Sequence, residues 1–253
     1  MTQPTVVLVP GAWLTHAFYA PFLSLLERQG FPVHYAEYPS LDAADPSSAS
    51  CQVDSDAILA HTVRPLIQDQ GRDVLVLMHS YGAMCGSAAV ASFSKTDRAR
   101  RGQNGGVLAL ICLGAFLVPE GLSCAGFMGG SLPPWILLEE ASQLNTVEDM
   151  TVLSADVQNL ENIRTQLKPH ATLAFNSPQP TPAFAEEAFR DRLAVILLDG
   201  DRAVPLFAQE GMVRGTGKTW IVKRMEGSSH LAPFAERMDE CVCLIEEIRK
   251  LLD

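Results

Sequence analysis

Val74-Leu75-Val76-Leu77-Met78-His79-Ser80-Tyr81-Gly82-Ala83 joins an unbroken aliphatic run to a small-residue, helix-compatible stretch through Ser-x-Gly. A buried strand that turns sharply into a helix at x-Ser-x-Gly has the form of a nucleophile elbow, which holds a serine hydroxyl out at the carboxyl edge of a sheet. So tight a turn leaves little room for side chains beside the serine, which accounts for Gly82. Met78 stands two residues before Ser80, where the full Gly-x-Ser-x-Gly pattern has glycine. Taken alone, the stretch also fits an ordinary strand-to-helix connection carrying a solvated serine. The rest of the chain has to choose between the two.

On either side of this stretch, strand candidates at Thr5–Val9, Val33–Tyr38, Asp73–Leu77, Val107–Leu113, Leu193–Leu198 and Thr219–Lys223 alternate with amphipathic segments. Continuous apolar strands between helices predict an α/β fold, a mostly parallel six-stranded sheet with helices on both faces. Phe18, Phe22, Leu25 and Leu26 keep helical spacing up to Gly30, and Ile58, Leu59, Val63, Leu66 and Ile67 do so up to Gly71. Phe234, Met238, Cys241, Val242, Ile245, Ile248 and Leu252 form the apolar stripe of a last helix. Residues 119–192 break the rhythm with many glycines and prolines and no clear strand. They read as an inserted lid, with short helices expected at Trp135–Leu144, Ala155–Leu167 and Ala183–Arg190, inside a single domain spanning 1–253. Phe127, Met128 and Trp135 in this region, together with Trp13, are candidates for contact with a substrate.

Composition narrows the partners. The chain has 253 residues, 47% of them hydrophobic, and a net charge of −10. That is ample for one large core. An acidic chain repels phosphate backbones and anionic lipid, so neither nucleic acid nor a membrane surface is an expected partner. The six cysteines have no Cys-x-x-Cys spacing, and neither a metal nor another cofactor is expected. The start, Met1-Thr-Gln-Pro-Thr, lacks the charged and long apolar segments of a secretory signal, so a cytoplasmic protein is expected. A homodimer is compatible with the composition.

A serine hydroxyl needs a base, and the base needs an acid to fix its tautomer. After the fifth strand comes Leu198-Asp199-Gly200-Asp201-Arg202-Ala203-Val204-Pro205, and after the sixth Met225-Glu226-Gly227-Ser228-Ser229-His230-Leu231. His230 is the only histidine downstream of the acid loop. Asp201, in its Asp-x-x-Val-Pro context, is preferred to Asp199 as the acid. Ser80, Asp201 and His230 then follow one another in the order used by α/β-hydrolases. Negative charge on a carbonyl oxygen calls for two backbone donors, assigned to the N–H groups of Tyr81 and of Ala12 in Val9-Pro10-Gly11-Ala12-Trp13. His79 is read as a structural residue beneath the elbow.

With these loops in place the chain resembles the α/β-hydrolases, and within them the small lid-bearing branch of methylesterases and hydroxynitrile lyases. Val6-Val7-Leu8-Val9-Pro10-Gly11-Ala12-Trp13 is similar to that branch's opening, with Pro10 in place of a histidine. His79-Ser80-Tyr81-Gly82 matches its elbow, and Gly114-Ala115-Phe116-Leu117-Val118-Pro119-Glu120-Gly121 resembles its passage into the lid. The resemblance implies the same triad and the same oxyanion donors. The lyases place a lysine after the histidine and a threonine in the oxyanion loop. Leu231 and Ala12 occupy those positions here, which favours ester hydrolysis over cyanohydrin cleavage. The expected activity is hydrolysis of a small, largely apolar carboxylic ester or lactone through an acyl-enzyme. The rival readings are lyase, carbon–carbon hydrolase or cyclase chemistry of natural-product pathways on the same triad, and a ligand-binding module on a hydrolase scaffold.

Overall fold

The computed structural model describes residues 3–158 and 160–252. In chain order the elements are β1 (Thr5–Val9), α1 (His16–Arg28), β2 (Val33–Tyr35), α2 (Cys51–Ile58), β3 (Asp73–His79), α3 (Gly82–Ala89), α4 (Lys95–Arg100) and β4 (Gly106–Leu113). They continue as α5 (Cys124–Phe127), β5 (Ile136–Glu139), β6 (Leu144–Val147), α6 (Leu160–Arg164), β7 (His170–Ala171), α7 (Thr172–Asn176), β8 (Leu193–Leu198), α8 (Leu206–Gly215), β9 (Ile221–Met225) and α9 (Met238–Leu252). Six strands form one parallel sheet in the order β2-β1-β3-β4-β8-β9. Val9, Met78 and Cys112 stand side by side near its carboxyl edge. Every residue of β1 and β8 is buried, as the unbroken aliphatic runs require of a sheet covered on both faces.

The sheet breaks at its carboxyl edge where the sequence turns polar or small. β2 ends at Tyr35, shorter than expected, because Ala36 makes the last sheet-like bond, to Leu8, before Pro39 withdraws an amide. α2 runs on into a π-helical stretch, Leu59–Asp69, that contains Pro65 and stops before Gly71 at φ +65°. α3 follows Ser80 directly and packs against β1. A Cβ on Gly86 would fall 2.9 Å from a Val9 methyl. The final helix begins at Met238, with Phe234 in a separate 3₁₀ turn, and buries Cys241, Val242, Ile245, Ile248 and Leu252.

Residues 119–192 differ from expectation in their secondary structure. Trp135–Leu144 is not a helix. Its residues enter β5 and β6, a hairpin with Leu138 opposite Asn145, and β7 adds a third antiparallel strand. A short apolar run such as Ile136-Leu137-Leu138 has no period long enough to separate helix from strand. Pairing decides it, and Gln143 at φ +57° makes the turn. Of Ala155–Leu167 only Leu160–Arg164 is helical, and Asn159 lies outside the described residues. Ala183–Arg190 splits into two 3₁₀ turns, because Glu186 is extended between them while Phe184 and Phe189 are both buried. No helix among the described residues is long and apolar enough to cross a membrane. Cys51, Cys85, Cys112, Cys124 and Cys241 are buried free thiols, and Cys243 is exposed.

Candidate active site

Loops from five strands meet at the carboxyl edge of the sheet. Ser80 leaves β3 at φ +53°, a left-handed conformation that costs a side-chain-bearing residue about 1–2 kcal/mol. The surroundings enforce it. Ser80 N–H donates to Leu113 O at 3.1 Å, and Ser80 O accepts from Ala83 and Phe116. A Cβ on Gly82 would lie 2.4 Å from Pro10 O and 2.6 Å from Val9 O, so only glycine fits where the elbow crosses the loop after β1. Met78, the departure from the Gly-x-Ser-x-Gly pattern, is fully buried within β3.

His230 and Asp201 meet behind the serine. His230 Nδ1 lies 2.6 Å from Asp201 Oδ2, and both residues are almost wholly buried. The other carboxylate oxygen, Oδ1, accepts the N–H groups of Ala203 at 2.8 Å and Val204 at 2.9 Å, which fixes the plane of the acid. Asp199 faces elsewhere and takes the Gly227 N–H. Gly114, at φ +48°, leaves the space this pair needs. A Cβ there would stand 3.0 Å from both Asp201 Oδ2 and His230 Nδ1. Backbone bonds hold the histidine loop on either side, with Leu231 N–H donating to Leu153 O at 3.0 Å and Ser229 N–H to the Asp156 carboxylate at 3.2 Å.

His79 sits under the elbow and also ties it to the loop after β1. Its Nδ1 lies 2.7 Å from the Tyr19 hydroxyl, which accepts the Gly11 N–H at 3.0 Å. Tyr19 thus bridges the Gly11 amide and the His79 ring. Complete burial, with the nearby charge of His230 as a second cause, pushes the His79 pKa well down and keeps the ring neutral. Tyr38 donates to Gly11 O at 3.0 Å from the other side. Pinned in this way, the loop leaves the Ala12 N–H free, and the Tyr81 N–H at the start of α3 is likewise unused in the hydrogen bonds of the described residues. Neither Tyr19 nor Tyr38 stands out in the sequence, since each looks like one more aromatic residue of the core.

Ser80, His230, Ala12, Trp13, Met128 and Trp135 share the wall of one narrow cavity with Phe116, Ile136, Leu153, Phe175 and Ala203. At about 20 Å³ it has room for a water-sized group and little more. Asp201 stands behind His230, outside this lining. Phe127, a candidate for substrate contact, is not part of it. It lies beside Leu117, Pro119, Phe184 and Met212 in a surface groove. The reason is that α5 turns Cys124 and Ala125 inward and leaves Phe127 exposed. The Ser80 hydroxyl makes no hydrogen bond among the described residues.

A family model described as alpha/beta hydrolase family matches residues 6–242, nearly the whole of this sheet and all of these loops. The chain belongs to that family. As an alpha/beta hydrolase it is similar to "Alpha/beta hydrolase nvfD" of Aspergillus novofumigatus, 25% identical over 236 residues, 90% of each chain. It is also similar to "Probable hydrolase R7" of Phoma sp., 27% identical over 130 residues, a match that spans about half of either chain. In fold this alpha/beta hydrolase resembles a pyrethroid hydrolase from Sphingobium faniae, with a TM-score of 0.69, 19% identity and coverage of 96% of each chain. It likewise resembles the methylesterase MES16 from Arabidopsis, with a TM-score of 0.69, 18% identity and coverage of 97% of this chain and 99% of that one.

Proposed function

We propose that this alpha/beta hydrolase cleaves a small, uncharged, largely apolar carboxylic ester or lactone, with Ser80 as nucleophile, His230 as base and acid, and Asp201 as the group that orients His230. The observation that carries the reading is the 2.6 Å Asp201–His230 pair set in the wall of the cavity that Ser80 also lines. In this reading His230 takes the Ser80 proton as the hydroxyl attacks the carbonyl carbon. The N–H groups of Ala12 and Tyr81 receive the developing oxyanion. His230 then protonates the leaving alkoxide, and water repeats the sequence on the acyl-enzyme to release the acid.

The substrate class follows from the wall. Apart from Ser80 and His230 it is built from Ala12, Trp13, Phe116, Met128, Trp135, Ile136, Leu153, Phe175 and Ala203, which offer a charged substrate no partner. A carboxylate brought here would be desolvated without compensation. At about 20 Å³ the cavity holds little more than a water-sized group, so in this reading residues 119–192 act as a lid that moves outward to admit an ester. In the substrate complex the Ser80 hydroxyl hydrogen-bonds His230, a contact that tightens as the reacting groups are brought together. The esterase and hydrolase names among the structural neighbours agree with this reading but carry less weight than the wall, since at 18% and 19% identity they speak for the fold. The test is a series of esters of matched size that differ in charge. The kcat/KM for a neutral short-chain ester should exceed that for its carboxylate-bearing analogue by at least 100-fold. Equal rates would remove the substrate assignment.

A further inference from the structure

Asp54, on α2, takes no part in the chemistry above, yet it is fully buried and no cation pairs with it among the described residues. Its Oδ1 accepts the Ser40 N–H at 2.9 Å. Its Oδ2 lies 2.5 Å from Ser40 Oγ and 2.6 Å from the Tyr81 hydroxyl. Ser40 Oγ is in turn 3.0 Å from Nε2 of His170, the first residue of β7, whose Nδ1 is 3.2 Å from Ala171 O. All four side chains are buried. The chain of contacts thus connects α2, the residue after the proposed nucleophile, and a strand of the 119–192 region.

Proton counting gives the connection a direction. With Nδ1–H of His170 donating to Ala171 O, Nε2 of a neutral ring is an acceptor and takes the Ser40 hydroxyl proton. The short Ser40–Asp54 contact then needs a proton on Asp54, and Tyr81 donates to the same carboxyl. When Asp54 is ionised, Ser40 and Tyr81 both donate to it and His170 loses its donor. Burial raises the Asp54 pKa to about 6 against the pull of the Ser40 and Tyr81 hydrogen bonds, and burial lowers that of His170 to about 3. The other titratable groups facing Asp54 are Cys51 on its own helix, Cys85 on α3 and Tyr38 from the loop after β2, all neutral at pH 7. The Tyr81 ring lies 4.9 Å from the His170 ring and 5.4 Å from that of Phe175, which lines the cavity.

We propose that Asp54 is a positioning residue. Through the Tyr81 hydroxyl it holds the Tyr81 amide in donor position at the head of α3, and through Ser40 and His170 it couples that amide to β7. The proposal rests on the reading of Ser80 as nucleophile and of Tyr81 N–H as an oxyanion donor. A buried carboxyl without a cation is costly, and here it anchors the side chain of one of the two residues whose amides that reading uses. Fixing Tyr81 at both its ring and its hydroxyl limits how far its backbone, and so its N–H, can shift.

The experiment compares wild type, Tyr81→Phe and Asp54→Asn, with kcat normalised to sites titrated by a fluorophosphonate probe. In parallel, the ¹H–¹⁵N resonance of the Tyr81 amide is followed from pH 4.5 to 8. Each variant should lower kcat per titrated site about tenfold and leave KM within twofold, because an oxyanion donor acts in the transition state. The Tyr81 resonance should titrate in wild type and stay flat in Asp54→Asn. Unchanged kcat per titrated site in both variants would overturn the proposal, as would a Tyr81 amide indifferent to pH in wild type. If wild type takes up no probe while its Tyr81 amide still titrates through Asp54, the coupling stands and the reading of Ser80 as nucleophile fails.

Discussion

Asp201 Oδ2 and His230 Nδ1 lie 2.6 Å apart, although 29 positions separate the two residues and each hangs from a different strand. The carboxylate's second oxygen is already held by the amides of Ala203 and Val204, so the acid is locked before the imidazole reaches it. Asp201→Asn keeps the shape and can donate from its amide to His230, which selects the wrong tautomer. The expected result is a fall in kcat of about 10⁴-fold with little change in folding, read by steady-state kinetics and circular dichroism.

Gly114 guards that pair. Alanine there would place its Cβ 3.0 Å from both partners and would force a side-chain-bearing residue to φ +48°. Gly114→Ala should therefore cost activity by at least 100-fold and stability by about 1–2 kcal/mol. Chemical denaturation and turnover measured on the same preparation check both. A variant with full activity would mean that the Asp201–His230 contact is dispensable.

Trp135 and Phe127 should behave oppositely. Trp135 lines the cavity beside Ser80, and Phe127 sits in the groove with Leu117 and Phe184. Trp135→Ala should raise kcat/KM for a bulky acyl ester relative to a short one by about tenfold. Phe127→Ala should leave that ratio within twofold. The measurement is a competition between two chromogenic esters.

Asp54 makes stability depend on pH with a definite sign. Burial raises its folded pKa from the ordinary 3.8 to about 6. The folded state therefore holds a proton that the unfolded chain has released between these values. The stability this group contributes is present below about pH 4 and is lost as pH rises through about 6. The Tm of wild type minus that of Asp54→Asn should decrease from pH 4 to pH 7 and then level off. A difference that rises over this range would contradict the buried, protonation-linked carboxyl.

The sheet and its loops are legible in the sequence because each central strand is a continuous aliphatic run ending in a small-residue turn. Ser80 directly follows such a run, Asp201 comes three residues after another, and His230 lies in the small-residue loop after the edge strand β9. The 119–192 region is less legible. Ile136-Leu137-Leu138 is too short to show a period, and its strand form depends on pairing with Leu144–Val147. Phe127 and Met128 are apolar neighbours in sequence, and only the turn of α5 sends one to the groove and the other to the cavity. Asp54 is invisible in the sequence, where Cys51-Gln-Val-Asp reads as a helix start with an acid in its first turn. Its partners Ser40 and Tyr81 stand 14 and 27 positions away, and no local pattern links them.

The most direct test of Ser80 as an activated nucleophile is mass spectrometry of the intact protein and its peptides after exposure to a fluorophosphonate probe. One adduct per chain is expected, located on Ser80, absent from Ser80→Ala and slowed by at least 100-fold in His230→Ala. An unlabelled Ser80 in folded wild-type protein, or labelling at the same rate in His230→Ala, would contradict it.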